Sequence, residues 1–278
     1  MSYALHHIDS DDLDQLSFDA KAYSLFKHGD DTHAQRFGRS LAQGFIANAY
    51  TVATAKSLVV SVAYHATPTA AHTLRRHFIS YLNRYRISQR LDPAVIVDIN
   101  RTCPYGEDYA TQSPNSRRRL LGSSDFHIDT IRVGGSSIVV LDDIRVTGAH
   151  EHRIATMFRM LGVVDKAHFV YFAAVRNPGV CPIIECHLNR AAISSIFGLE
   201  TLIQSGSFVI NARLVKFLLG NLHEEFCRLL RRQEDAFVGE LLDAAIAEGH
   251  GTNVDFEKNF RFLLWEQRIR NDTVGEPT

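Results

Sequence analysis

The patterning of this chain predicts an α/β fold: a mostly parallel five-stranded sheet flanked by helices, with a helical hood added to it. Three observations carry the prediction. Short, apolar, β-branched runs alternate with segments of helical period through the first two thirds of the sequence. The strongest run, Ile138 to Leu141, leads straight into Asp142, Asp143 and a small-residue turn. After Asn177-Pro178-Gly179 the strand-like runs stop and helical patterns take over.

Taken in order, the first fifty residues read as polar helix and loop, acidic at Asp9, Asp11, Asp12 and Asp14 and broken at His28-Gly29-Asp30-Asp31. Phe37, Leu41, Phe45 and Ile46 recur at helical spacing and place a helix over residues 36–50. Leu58 to Tyr64 is the first strand, His65 to Ala70 a turn, and a helix follows to about Tyr85. Ala94 to Ile99 is the second strand, so a right-handed parallel crossover joins the two. Residues 101–125 show no apolar period and contain Arg117-Arg118-Arg119; a segment this long inside a compact domain is expected to be a mobile lid. A short strand near Phe126 to Val133, the strand at 138–141, a helix from Ala149 to Leu161 and a strand from Ala167 to Val175 complete the sheet. Helices are expected over 188–197, 208–219, 221–248 and 256–269. The organisation expected is a helical part of the hood at 1–50, a core at 51–180 and a helical cap at 181–278.

The chain has 278 residues, and its 30 lysines and arginines against 31 aspartates and glutamates leave a net charge of −1. That balance gives no overall attraction to nucleic acid. Cys103, Cys181, Cys186 and Cys227 are few and scattered, and no basic start is followed by an apolar core, so a reduced, cytoplasmic protein is expected. No run approaches the roughly 20 apolar residues of a membrane span, and no membrane partner is expected.

Between Ser136 and His150 the sequence is SSIVVLDDIRVTGAH. A buried parallel strand delivers its acids to the edge where open α/β sheets bind ligands. The turn then opens a helix whose first amides are unpaired donors with positive partial charge, which suits a phosphate. Carboxylates beside it can accept hydrogen bonds from vicinal hydroxyls, so a sugar phosphate can be held by both ends. The plain alternative is a strand, two solvated acids and an ordinary helix start.

This stretch resembles the phosphoribosyl pyrophosphate (PRPP) motif of type I phosphoribosyltransferases: four apolar residues, two acids, a short variable stretch, then Thr-Gly-x-Thr/Ser. Asp142, Asp143, Thr147 and Gly148 fall on the family's positions, and His150 stands where Thr or Ser is usual. The resemblance implies the type I phosphoribosyltransferase fold and transfer of a 5-phosphoribosyl group from PRPP to a nitrogenous base, with release of pyrophosphate. It places the ribose hydroxyls on Asp142 and Asp143 and the 5-phosphate on Val146, Thr147, Gly148, Ala149 and His150. A general-base role for either acid, or a place on the metal through water, stays open. Mg²⁺, bound mainly through PRPP, is the implied cofactor, since this ion prefers substrate phosphates and a few carboxylates or waters.

The resemblance makes the turn His65, Ala66, Thr67, Pro68, Thr69 the pyrophosphate loop, its backbone amides forming an anion nest; an ordinary strand-to-helix connection is the alternative. Arg117, Arg118 and Arg119 would close over pyrophosphate from the lid; a basic surface loop is the alternative. Arg75 and Arg76 read as solvated. The histidine groupings His150/His152, His65/His72/His77 and Cys181/Cys186/His187 lack the spacing or the number of ligands for a metal site. A narrower similarity is to phosphoribosyltransferase-like proteins encoded beside bacterial tellurium-resistance genes. It rests on Ser24-Leu25-Phe26-Lys27-His28-Gly29-Asp30, the motif and the helical C-terminal region. It implies a nucleoside-like biosynthetic pathway; Lys27 reads as a solvated lysine, with a substrate contact as the alternative. The expected partners are PRPP and a small-molecule base, and apolar faces on the terminal helices would allow a homodimer. The rival expectation is a PRPP- or nucleotide-sensing module without turnover.

Overall fold

The structure, a computed structural model, describes residues 2–101 and 126–274. Arg117, Arg118, Arg119 and Cys103 lie outside the described residues. The chain forms two compact units: residues 1–18, 34–65 and 71–185 in one, residues 19–33, 66–70 and 186–278 in the other.

The first unit holds the expected sheet. Its five strands are β1 (Ser2–Ile8), β2 (Leu58–Ser61), β4 (Val95–Ile96), β7 (Ser137–Arg145) and β8 (Ala167–Val175), in the order β1-β8-β7-β2-β4 with every pair parallel. A second sheet joins β3 (Ala63–Tyr64), β5 (Ile99–Arg101) and β6 (Phe126–Ile128), with β5 and β6 antiparallel.

Three sequence expectations are corrected here. The opening residues are not helix and loop throughout: Ser2–Ile8 is an edge strand, in register with β8 from Ser2–Phe169 to Ile8–Val175. Its half-exposed pattern explains why SYALHHI lacks a buried strand's apolar run. The segment at Phe126 does not join the main sheet: Phe126–Ile128 pairs with β5 in the second sheet and is followed by a helical turn, Thr130–Val133, capped by Asp129 accepting from the Ile131 and Arg132 amides. The runs at 58–64 and 94–99 each bend from one sheet to the other, so each contributes two short strands.

The helix Ala149–Met160 covers one face of the main sheet and buries Ile154, Met157 and Phe158 against Ile138, Val140, Phe169 and Tyr171. The aromatic pairs Phe37–Phe172 and Phe45–Phe78, with ring centroids 4.3 and 5.6 Å apart, bind residues 34–48 to β8 and to the helix Ala70–Ser88. Gly38 permits the close approach of those two helices, because a Cβ there would stand 2.7 Å from the Leu74 carbonyl oxygen. Arg86 is fully buried, and its guanidinium donates to the carbonyls of Ala53, Ala55 and Asp92 at 2.6, 2.9 and 2.8 Å. Burying that charge is tolerable because its donors are met.

The second unit is helical, built around Leu214, Val215, Leu218, Phe226, Leu229, Val238, Leu241 and Leu263. The single long helix expected over 221–248 is two helices, His223–Leu230 and Asp235–Ala247. Arg270, from the helix Glu257–Val274, donates to the carbonyls of Leu230 and Gln233 at 3.0 and 2.8 Å, so the chain can end one helix there without leaving its carbonyls bare. The segment Ser24–Asp30 is packed inside this unit. Lys27 is buried, and His28, also buried, has its Nδ1 2.8 Å from the Ser24 carbonyl. Gly29 has φ +108°, and a Cβ would fall 2.4 Å from the Val209 carbonyl oxygen. Among the described residues no helix is long and apolar enough to cross a membrane.

Candidate functional site

The motif strand β7 continues through Asp142 and Asp143 to Arg145, still paired with β8 at Asp142–Tyr171 and Arg145–Ala174. The acids are therefore inside the strand and not after it, and consecutive strand residues point to opposite faces. Asp142 takes the face of the helix Ala149–Met160, whereas Asp143 lies on the other and is only 6% exposed. The two carboxylates do not form one paired site.

Asp142 is half-buried and engaged at both oxygens. Its Oδ1 accepts from the Asp143 amide at 3.0 Å, and its Oδ2 lies 3.0 Å from His150 Nδ1. An ionised carboxylate only accepts, so His150 Nδ1 is the donor. His150, the motif's one departure from its pattern, is thus the residue that orients its first acid. Around them, the Tyr171 hydroxyl donates to Glu151 Oε2 at 2.9 Å, and Arg145 Nε lies 3.8 Å from the same oxygen. Burial, and then the charges of Glu151 and Asp142, push the Tyr171 phenol well above its ordinary range, so it remains a proton donor.

The turn that follows is shaped by Gly148, whose φ of +74° is left-handed. Gly148 stands at the start of the helix with no side-chain cap, and Thr147 Oγ1 accepts from the Ala149 amide at only 3.4 Å. Helix-terminal amides left in this way are anion-seeking. Thr147 and Ala149 are exposed, and Val146 and His150 partly so. Arg145 Nη1 lies 4.0 Å from where a Cβ on Gly148 would stand, which adds a cation beside the turn. No local sequence pattern distinguishes a strand-end arginine that folds back over the next turn.

The turn at His65–Thr69 is built differently. The amides of Ala66 and Thr67 donate to Glu248 Oε1 at 3.3 and 2.6 Å, and Glu248 is 1% exposed. The Thr67 hydroxyl donates to the Ala244 carbonyl at 3.2 Å, and the Pro68 carbonyl accepts from the Ala212 amide at 2.9 Å. The two amides thus hold the protein's own carboxylate. Glu248 lies about 180 residues away in sequence, so reading the loop alone misses it. His65 is partly buried in the other unit.

Arg75, read as solvated, is buried and forms a short ion pair with Asp98. His72 packs edge-on to Tyr64, and burial, then the Arg75 charge, holds it down at about 4, so it is neutral at physiological pH.

A family model described as PRTase ComF-like matches residues 1–263. Among solved structures, one similar chain is the hypoxanthine-guanine phosphoribosyl transferase of L. donovani, at 12% identity and a TM-score of 0.27, covering 58% of this chain and 76% of that one. A search of curated proteins gives no match.

Proposed function

The chain belongs to the ComF-like phosphoribosyltransferase family, and on that premise we propose that it binds PRPP at β7 and transfers the 5-phosphoribosyl group to a nitrogenous base or related small nucleophile, releasing pyrophosphate. The observation that carries this reading is the left-handed Gly148 turn, which opens a helix without a side-chain cap directly after an acid-bearing parallel strand. In it the Gly148–His150 amides take the 5-phosphate, Arg145 adds charge, and Asp142 accepts from the ribose hydroxyls. Asp143, buried on the opposite face, supports the strand and does not share that task.

Bond breaking at the anomeric carbon passes through an oxocarbenium-like state. The chain's part is to fix the ribose and exclude water. His150 holds the Asp142 carboxylate in one orientation, and Tyr171 stays protonated to keep Glu151 hydrogen-bonded. Asp142 is a half-buried hard-oxygen donor of the kind Mg²⁺ accepts alongside substrate phosphates. When bound, the ion would neutralise charge on the departing pyrophosphate. The narrower idea, a nucleoside-like pathway linked to tellurium resistance, rests on the sequence similarity alone.

A second reading, PRPP or nucleotide sensing without turnover, is favoured by one observation. Glu248 already occupies the amides of Ala66 and Thr67, the loop on which pyrophosphate release would draw. The test is pyrophosphate release from Mg²⁺-PRPP against a panel of purine, pyrimidine and pyridine bases. Release with at least one base supports the transferase, and saturable PRPP binding with no release for any base supports the sensor.

A further inference from the structure

Remote from the motif in sequence, the helix His223–Leu230 places His223 and Cys227 one turn apart on the same face. The tautomer of His223 can be deduced from its neighbour. Asn259 Nδ2 donates to the carbonyls of Leu219 and Asn221, both at 2.8 Å, which commits its two amide hydrogens. Its Oδ1 is therefore an acceptor, and it lies 2.8 Å from His223 Nδ1. A neutral His223 thus carries its proton on Nδ1 and presents a bare Nε2. That nitrogen is 3.6 Å from Cys227 Sγ, where the only available hydrogen is the thiol's. Thiol, base and base-orienting amide are in the relation of an activated nucleophile.

The thiol is partly exposed in a groove of about 570 Å³. Arg228, Arg231 and Arg232 line the groove along with Phe262 and the acid Glu224. Arg232 is paired with Glu200, whereas Arg228 and Arg231 lie over the rings of Phe197 and Phe262 at 4.9 and 5.4 Å, Arg231 also reaching Glu266 at 3.8 Å. Burial, with the Glu266 carboxylate, raises the Cys227 thiol above its ordinary range while Arg231 and Lys258 pull it down, so the resting group is protonated and needs a base.

We propose that Cys227 is a thiol–disulfide exchange site for a small, carboxylate-bearing disulfide, with His223 as base and Arg228 and Arg231 as anion contacts. His223 Nε2 takes the thiol proton, Cys227 Sγ attacks one sulfur of the small disulfide, and a protein mixed disulfide forms as the old S–S bond breaks. The second sulfur leaves as a thiolate and collects the proton from His223. The exchange needs no other oxidant.

The test uses the full chain, with oxidised glutathione as the anionic probe and cystamine as the cationic one, and follows mixed-disulfide formation by intact mass and peptide mapping. The expected result is that glutathione marks Cys227 before the more exposed Cys181, and faster than cystamine does. His223→Gln should slow labelling at neutral pH by roughly a hundredfold or more. Its rate should converge with the native one at alkaline pH, where the thiol ionises unaided; a purely structural role for His223 would not give that convergence. Arg231→Gln should erase the preference for the anionic probe. Preferential labelling of Cys181, equal rates for the two probes, or a His223→Gln rate that stays unchanged at neutral pH or low at every pH would overturn the proposal.

Discussion

The turns at residues 65–69 and 146–149 both lead from a strand into a helix, and both offer backbone amides, but they treat those amides in opposite ways. In the first, the amides of Ala66 and Thr67 hold Glu248, and the neighbouring polar atoms are tied to Ala244 and Ala212. In the second, the helix begins at Gly148 without a side-chain cap. A protein that satisfies one set of amides from within gains stability there, and one that leaves the other set for an outside anion gives up stability for binding. Both turns are small and polar after a strand, but the second is shaped by left-handed Gly148, and the distant chain brings a carboxylate to the first.

Changes at the two turns should therefore fall on different measurements. The largest expected effect is on stability at the first. Glu248→Ala leaves two backbone donors without their carboxylate and should cost roughly 3 kcal/mol by chemical denaturation. If the nest then accepts an outside anion, pyrophosphate should raise the melting temperature of the variant more than that of the native chain. An equal shift would mean that the two turns are alike in their reach for ligands.

At the second turn the expected stability costs are smaller and the binding costs larger. Gly148→Ala must take φ +74°, a strain of about 1–2 kcal/mol, and should reduce PRPP affinity by more than that strain implies. Thr147→Val removes a weak contact to the Ala149 amide and should change stability by less than about 0.5 kcal/mol in the same denaturation series. A large loss there would show that the turn is structural.

Acid sharpens the contrast further, since the helix after the first turn carries the partly buried His72 and the second unit carries buried His28. Burial lowers each to about 4 in the folded state, against roughly 6.5 when unfolded. Below that unfolded value the unfolded chain binds more protons, so stability should be level above about pH 6.5 and fall as pH drops towards 4. The loss should be of the order of 2 kcal/mol per histidine between pH 6.5 and 5. His72→Phe should flatten the part of the slope due to that residue, as read from urea midpoints at the two pH values.

How much of this was legible in the sequence follows from where the information sits. The strand Ala167–Val175 and the helix Ala149–Met160 matched their patterns closely because each is long, periodic and bounded by clear turn signals. The edge strand Ser2–Ile8 was missed because an edge needs no apolar run, and the split at residues 231–234 because Arg270 takes up the freed carbonyls from 37 and 40 residues away. Arg86 and Arg75 were unreadable for the same reason, their partners being fixed only by the fold. In the motif, the strand that carries Asp142 and the turn at Gly148 were legible from spacing. The separation of Asp142 from Asp143 follows from β7 continuing to Arg145, and the hold of His150 on Asp142 from the helix geometry that follows.

Direct titration of PRPP into the native chain and into Asp142→Asn by calorimetry, with and without Mg²⁺, bears most closely on the grip of β7 and its turn on a pentose 5-phosphate. The expected result is saturable binding that weakens more than about tenfold in the variant, the loss of a charged hydrogen-bond acceptor at the ribose, while the denaturation midpoint moves little. Equal affinity in the two proteins, or no binding to the native chain, would contradict the account.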